Sequence, residues 1–203
     1  MSSRTDHPPQ HDSTATAILD AARELFETGS YHAVGLEAVA KRAGISRQAI
    51  YLHFDSKAAL LQSLHERIND RDVVPVMSRV WDAPDALAGL ETFATATTTS
   101  ASAIVGIYTA LEAAGRSDPE VAASMRLGNQ RRYADCLRLA TWLDDDGLLA
   151  TGVTRRHAAD VIWTVANIPT FVLLIRDRRW SHARWTAWVV DTLRTTLLTR
   201  PGS

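Results

Sequence analysis

The stretch "AGISRQAIYLHFDSKAALL", residues Ala43 to Leu61, decides how this chain is read. A glycine, two aromatics, a histidine and several cations crowd around a short apolar rhythm, and the polar residues sit beside that rhythm. Upstream, Leu36, Val39, Ala40 and Ala43 repeat at helical spacing over two turns and stop at Gly44. Ser46 is then a good N-cap for another short helix, predicted to end near Phe54. Ile45 and Ile50 flank that cap as a hydrophobic staple. Two short helices joined by a glycine-centred turn, the second polar on one side, read as a helix-turn-helix over about 35–54. In such a motif the second helix enters the major groove of DNA, with its first residues against base edges. Arg47 can donate two bonds to guanine O6 and N7, and Gln48 can pair with adenine N6 and N7. Ser46, Tyr51, His53 and Lys57 suit phosphate oxygens, which fix register without reading sequence. Ala49 and Ile50 are expected to face the core.

The charge pattern limits the claim. Over 203 residues the net charge is −1, so no global attraction to polyanions exists and any such site is local. Between Lys41 and Lys57, four cations (Lys41, Arg42, Arg47, Lys57) face one carboxylate, Asp55. Cys136 is the single cysteine, which excludes an intrachain disulfide and a cysteine-based zinc cage. The start, "MSSRTDHPPQHDST", has no apolar signal core, and no stretch is expected to reach the roughly 20 apolar residues of a membrane span. A soluble, cytoplasmic protein without membrane contact is the expectation. His7 and His11 have helical metal-pair spacing, but Pro8 and Pro9 argue against a helix there, and no metal or cofactor is expected. Gly-rich phosphate loops and nucleophile elbows are absent from the sequence, so no catalytic residue is assigned.

Elsewhere the periodicity is helical almost throughout. Residues 1–12 read as a disordered tail. Ile18, Ala21, Ala22, Leu25 and Phe26 form the stripe of a first helix, with Gly29 where a left-handed terminal residue is wanted. Asp55-Ser56 caps a fourth helix, which Pro75 should bend or end before Trp81. Pro84 opens a fifth. The run "TATTTSASA", Thr95 to Ala103, is poor in helix formers and predicts an end or joint with a sixth helix closed by Gly115. Asp118-Pro119 starts a seventh, ended by "DDDGLLATG". Two last helices follow, about 154–176 and 181–199, with Pro169 inside the former freeing the carbonyl of Val165. The fold class is all-α, with about nine helices.

The segment "ILDAARELFETGSYHAVGLEAVAKRAGISRQAIYLHFDSKAALL" resembles the N-terminal domain of the TetR family of bacterial transcriptional repressors. The resemblance rests on the Leu-Phe ending of helix one, Tyr31 after Gly29, the Val39-Ala40 pair, the Ala43-to-Ser46 turn and the pattern Tyr51-x-His53-Phe54-x-x-Lys57. The ending, from "GLLATG" to "WVVDTL", is similar to a common C-terminal type in that family. The resemblance implies a DNA-binding domain at 13–57 and a ligand-binding and dimerisation domain at 58–203. It implies Arg47 and Gln48 facing the groove, Ser46, Tyr51 and His53 at the backbone, and Lys57 gripping a phosphate. Where the family usually carries Thr-Ser or Thr-Thr before helix two, this chain has Val34-Gly35, so a hydroxyl cap is missing while the Gly35 N–H can still donate.

Because one recognition helix reads only a few base pairs, a homodimer on a near-palindromic operator is expected. The last two helices are its predicted interface, through Val161, Ile162, Val165, Val172, Trp185, Trp188 and Val189. An unidentified, largely apolar or aromatic effector is implied, near Met77, Trp81, Phe93, Tyr108, Trp163, Asn167 and Phe171. The rival reading is a helical small-molecule carrier, or an enzyme, without DNA binding.

Overall fold

A computed structural model describes residues 10–199. No strand occurs among them, only an isolated bridge between Leu149 and Leu198. The helices are α1 (Gln10–Thr28), α2 (Leu36–Ala43), α3 (Arg47–Tyr51), α4 (Lys57–Ile68), α5 (Val74–Ser78), α6 (Ala86–Gly115), α7 (Pro119–Asp145), α8 (Arg155–Val165), α9 (Ile168–Val172) and α10 (His182–Leu197). A π turn, Asn69–Val73, joins α4 to α5, and another, Leu173–Asp177, follows α9. Of the tail expected at 1–12, residues 1–9 lie outside the described residues and α1 is already under way at Gln10.

The chain divides into two compact units. The first runs to Arg67 and adds Gly106–Ser124; the second holds Ile68–Val105 and everything from Met125. The first unit therefore takes in nearly all of α4, beyond the boundary expected at Lys57. Arg67 shows why: its guanidinium donates to Asp20 Oδ1 at 2.8 Å and to the Thr16 carbonyl at 3.1 Å, tying α4 to α1. This unit buries Ile18, Ala22, Phe26, Val39, Ile50, Leu60, Leu61 and Leu64. Truncating one such wholly buried aliphatic residue to alanine costs about 2–5 kcal/mol. In the second unit Phe93, Cys136, Leu139, Leu143, Ile162, Phe171, Trp185 and Val189 belong to one core. Burial pushes the Cys136 thiol up to about 12.

Several local expectations are refined or corrected. The run Thr95 to Ala103 is no joint; α6 passes through it unbroken. Four of its hydroxyls donate one turn back, Thr95 to Glu91, Thr98 to Ala94, Thr99 to Thr95 and Ser102 to Thr98, whereas the Ser100 hydroxyl is buried without a partner. Gly29 is not left-handed; among the described glycines only Gly44, Gly147 and Gly152 have positive φ. Pro84 does not open α6 itself, since Asp85 provides the cap, accepting from the Ala88 N–H at 2.8 Å. Pro75 sits in the first turn of α5, where its missing N–H costs nothing, and the π turn before it ends α4.

The last concerns Pro169. Instead of kinking one long helix it separates two. Asn167, extended at φ −108°, accepts from the Thr170 N–H at 2.7 Å and starts α9 afresh. The carbonyls of Trp163 and Ala166 accept from Arg132 of α7 at 3.1 and 3.3 Å, and the same guanidinium lies 4.6 Å over the Trp163 ring. One stretch of the described residues, Arg155–Asp177, is nonetheless long and apolar enough by length and composition to cross a membrane, against the expectation that none is.

Two glycines differ in what they demand. Gly44 has φ +72° and ψ 25°, whereas Gly35, the N-cap of α2, is extended at φ −106° with open space where a Cβ would stand. Gly44→Ala should lower the unfolding free energy by about 1–2 kcal/mol, while Gly35→Thr, restoring a cap hydroxyl, should raise it by about 0.5 kcal/mol; urea titrations measure both. His65 in α4 is held below the ordinary imidazole range by burial, with Glu66 opposing. The unfolded chain therefore binds the proton more tightly, and stability should fall as pH drops below the ordinary imidazole value of 6.5. In thermal melts across pH, His65→Gln should flatten that acid limb.

Candidate nucleic-acid interface

The turn between α2 and α3 is built from backbone bonds. With Gly44 left-handed, its N–H donates to the Lys41 carbonyl at 3.3 Å and the Ile45 N–H to the Ala40 carbonyl at 3.0 Å. These two bonds close α2 in a Schellman turn. Ser46 follows in extended backbone, and its Oγ accepts from the Ala49 N–H at 3.1 Å. Regular helix lasts five residues, to Tyr51; the Phe54 N–H then donates to the Ile50 carbonyl at 2.9 Å. Ile50 is wholly buried, and that one anchor turns Arg47, Gln48 and Tyr51 outward. Ala49 is only half-buried. Beside them Leu52 is 80% exposed, a residue the sequence reading passed over. Its signal was positional: Ile50 and Phe54 take the inward places four apart, leaving Leu52 on the opposite side.

Charge at this surface is more balanced than the linear sequence suggests. Arg47 Nη1 lies 2.6 Å from Glu37 Oε1, with the two side chains 69% and 64% exposed. Arg42 pairs with Glu24 of α1. Lys57 is half-buried: its ammonium donates to the Tyr31 carbonyl at 2.7 Å and stands 4.1 Å above the Tyr31 ring. Burial holds that ammonium below the ordinary lysine range. Burial also raises the Tyr31 phenol, and Asp118 adds to the rise. Lys41 is exposed and makes no ion pair among the described residues. Glu24 and Glu37, both outside the Lys41–Lys57 window, thus neutralise two of its four cations.

The remaining expected contacts fall differently. Val34 is corrected: at 5% exposure its side chain is core and faces no ligand. Gly35 is exposed and caps α2 through no side chain. Ser56 Oγ accepts from the Ala59 N–H at 3.0 Å and caps α4. His53 is half-buried against the Phe54 ring, centroids 6.4 Å apart.

Of the expected effector set, Phe93, Phe171, Met77, Trp81 and Trp163 belong to or pack against one core, the second unit's. Phe93 and Phe171 are core, Phe171 edge-on to Trp185 at 5.4 Å. Asn167 spends its carboxamide oxygen on a helix cap, and Tyr108 lies in the first unit. Met77, Trp81 and Trp163 are partly buried against the second unit's core. The Arg138 guanidinium covers the Trp81 ring at 3.9 Å, and the Trp163 indole N–H is buried without an acceptor. Of the expected dimer contacts, Ile162, Trp185 and Val189 are wholly buried within the chain and cannot meet a partner. Val161, Val165, Val172 and Trp188 stay partly exposed, and the adjacent Leu173 is 53% exposed. No group of three or more potential metal ligands occurs among the described residues; the His7 and His11 pair lies outside the described side chains.

Comparison with known proteins agrees with this geometry. Residues 18–64 match the family described as bacterial regulatory proteins, tetR family. The HTH-type transcriptional regulator UidR of Escherichia coli (strain K12) is 43% identical over 51 residues, 25% of this chain and 26% of that protein. The chain thus matches about a quarter of that relative's length. The structure of the fatty acid degradation regulator FadR from Bacillus halodurans superposes with a TM-score of 0.76 at 20% identity, covering 97% of this chain and 100% of that one. NalD, the secondary repressor of the MexAB-OprM multidrug efflux pump in Pseudomonas aeruginosa, gives 0.70 at 21% identity over 93% and 98%. At those identities the two structures establish the fold. All three are regulators and none is an enzyme.

Because Lys57 holds the Tyr31 turn, Lys57→Met should cost about 1–2 kcal/mol of stability, from a charged hydrogen bond and a cation–π contact at a partly exposed site. Arg47→Ala, breaking only an exposed pair, should cost less than about 0.5 kcal/mol. Urea denaturation of the two variants reads the difference directly.

Proposed function

We propose that this chain, a member of the TetR family of transcriptional regulators, is a cytoplasmic repressor that binds a near-palindromic operator as a homodimer and leaves it when a small effector binds. The observation that carries the reading is the outward set Arg47, Gln48 and Tyr51 on a helix fixed by the buried Ile50. Arg47 and Gln48 read base edges. Ser46, Tyr51, His53 and the Gly35 N–H meet phosphates. Leu52 offers its methyl groups to a thymine methyl. Lys57 acts chiefly by fixing the Tyr31 turn, with its remaining donors available to a phosphate.

Dimerisation is supported by the stretch 155–177, whose most apolar window is only 28% buried inside the chain. A second copy covering Val161, Val165, Val172, Leu173 and Trp188 would bury that surface. The effector belongs to the second unit, near Trp163, Trp81 and Met77. The unpaired indole N–H of Trp163 calls for a ligand with a hydrogen-bond acceptor on an otherwise apolar or aromatic body. Release follows from population shift: the effector binds more tightly to the conformation whose recognition helices do not match successive major grooves.

Fluorescence anisotropy with duplex DNA tests this. Two cations, Arg47 and Lys57, on each of two subunits predict a log–log salt slope of about −4; a carrier or enzyme gives none. Leu173→Asp should convert the dimer to monomer in sedimentation and weaken operator binding by about 100-fold or more.

A further inference from the structure

We infer that Glu37 is a specificity-determining residue of the reading head, acting through Arg47; the inference rests on the DNA-binding reading above. Glu37 stands in the first turn of α2 and Arg47 in the first turn of α3. The Gly44 turn brings those two helix starts together, so that Nη1 and Oε1 are 2.6 Å apart on the exposed side of the motif. Two consequences follow from that juxtaposition.

The guanidinium has five donors in a rigid fork. With Nη1 committed to Glu37, the others remain for a base, and the side chain meets the groove already oriented. A bidentate acceptor such as the guanine O6/N7 edge can use that orientation. A phosphate, reachable only if the arginine swings away, cannot. The second consequence is repulsive. If Arg47 leaves for a phosphate in the wrong register, Glu37 is stranded as an uncompensated carboxylate beside the DNA backbone. Discrimination against a wrong partner is often built this way, by a penalty that appears only in the wrong complex. Arg42 and Glu24 are also paired, but neither belongs to α3, so that pair cannot orient a base-reading side chain.

The test uses the full chain, with Glu37→Gln, Arg47→Ala and the double variant. Each protein is first used to select from a random 30-base-pair duplex pool. Anisotropy then compares the duplex that wild type selects with one scrambled duplex across salt. Glu37→Gln should bind the scrambled duplex about five- to tenfold tighter, with a salt slope about one unit steeper. The selected duplex should change less than twofold, so the specificity ratio falls five- to tenfold. In the Arg47→Ala background, Glu37→Gln should raise both affinities alike and leave the ratio unmoved. An unchanged ratio in Glu37→Gln, or an equal fall in both backgrounds, overturns the inference. So does the loss of a preferred cytosine in the Glu37→Gln selection with all other positions intact, which would make Glu37 a base reader in its own right. If wild type shows no salt-steep binding to any duplex, the DNA-binding reading falls and this inference with it. Salt-steep wild-type binding with a ratio insensitive to Glu37 removes the inference alone.

Discussion

The left-handed backbone of Gly44, coupled to the burial of Ile50, is the constraint from which the reading surface follows. A five-residue helix has no independent stability in water, because nucleation costs more than its few hydrogen bonds return. α3 exists because its surroundings hold it: a Schellman turn before it, Ser46 satisfying an N–H at its start, and one aliphatic side chain sunk in the core. Every polar group that α3 presents outward is positioned by those three features.

The surface so produced is electrostatically restrained. Each arginine at the turn faces a carboxylate from α1 or α2, and the whole chain is close to neutral. Beyond about 10 Å salt screens what field remains. Attraction to a polyanion is therefore weak at a distance, and binding depends on fit at contact.

What could be read from the sequence and what could not divide along a physical line. Local signals transferred well: the Ala43-to-Ser46 turn, the Asp118-Pro119 helix start and the stripe of α1 all depend on neighbours within a turn or two. Information carried across the fold did not. Glu24 and Glu37 are distant in sequence from most of the cations they face, so counting charge in a window overstated the patch. Pro169 looked like a kink because Arg132, which satisfies the freed carbonyls and so permits a full break, lies 31 residues from Trp163 and 34 from Ala166. The Thr95-to-Ala103 run looked like a joint because propensity tables do not record hydroxyls turned back onto their own helix. Periodicity also could not say which apolar residues of the last helices serve this chain's own core. Trp185, Ile162 and Val189 do, while Leu173, in a π turn, stays exposed.

The lone thiol has a practical meaning. Sealed in the second unit's core with its proton held to about pH 12, the Cys136 thiol is inert toward oxidants and electrophiles while that core stays shut. The chain thus carries an intrinsic stopwatch. The rate at which an alkylating probe consumes this single atom counts the occasions on which the interior opens, and any molecule that tightens the core will slow it.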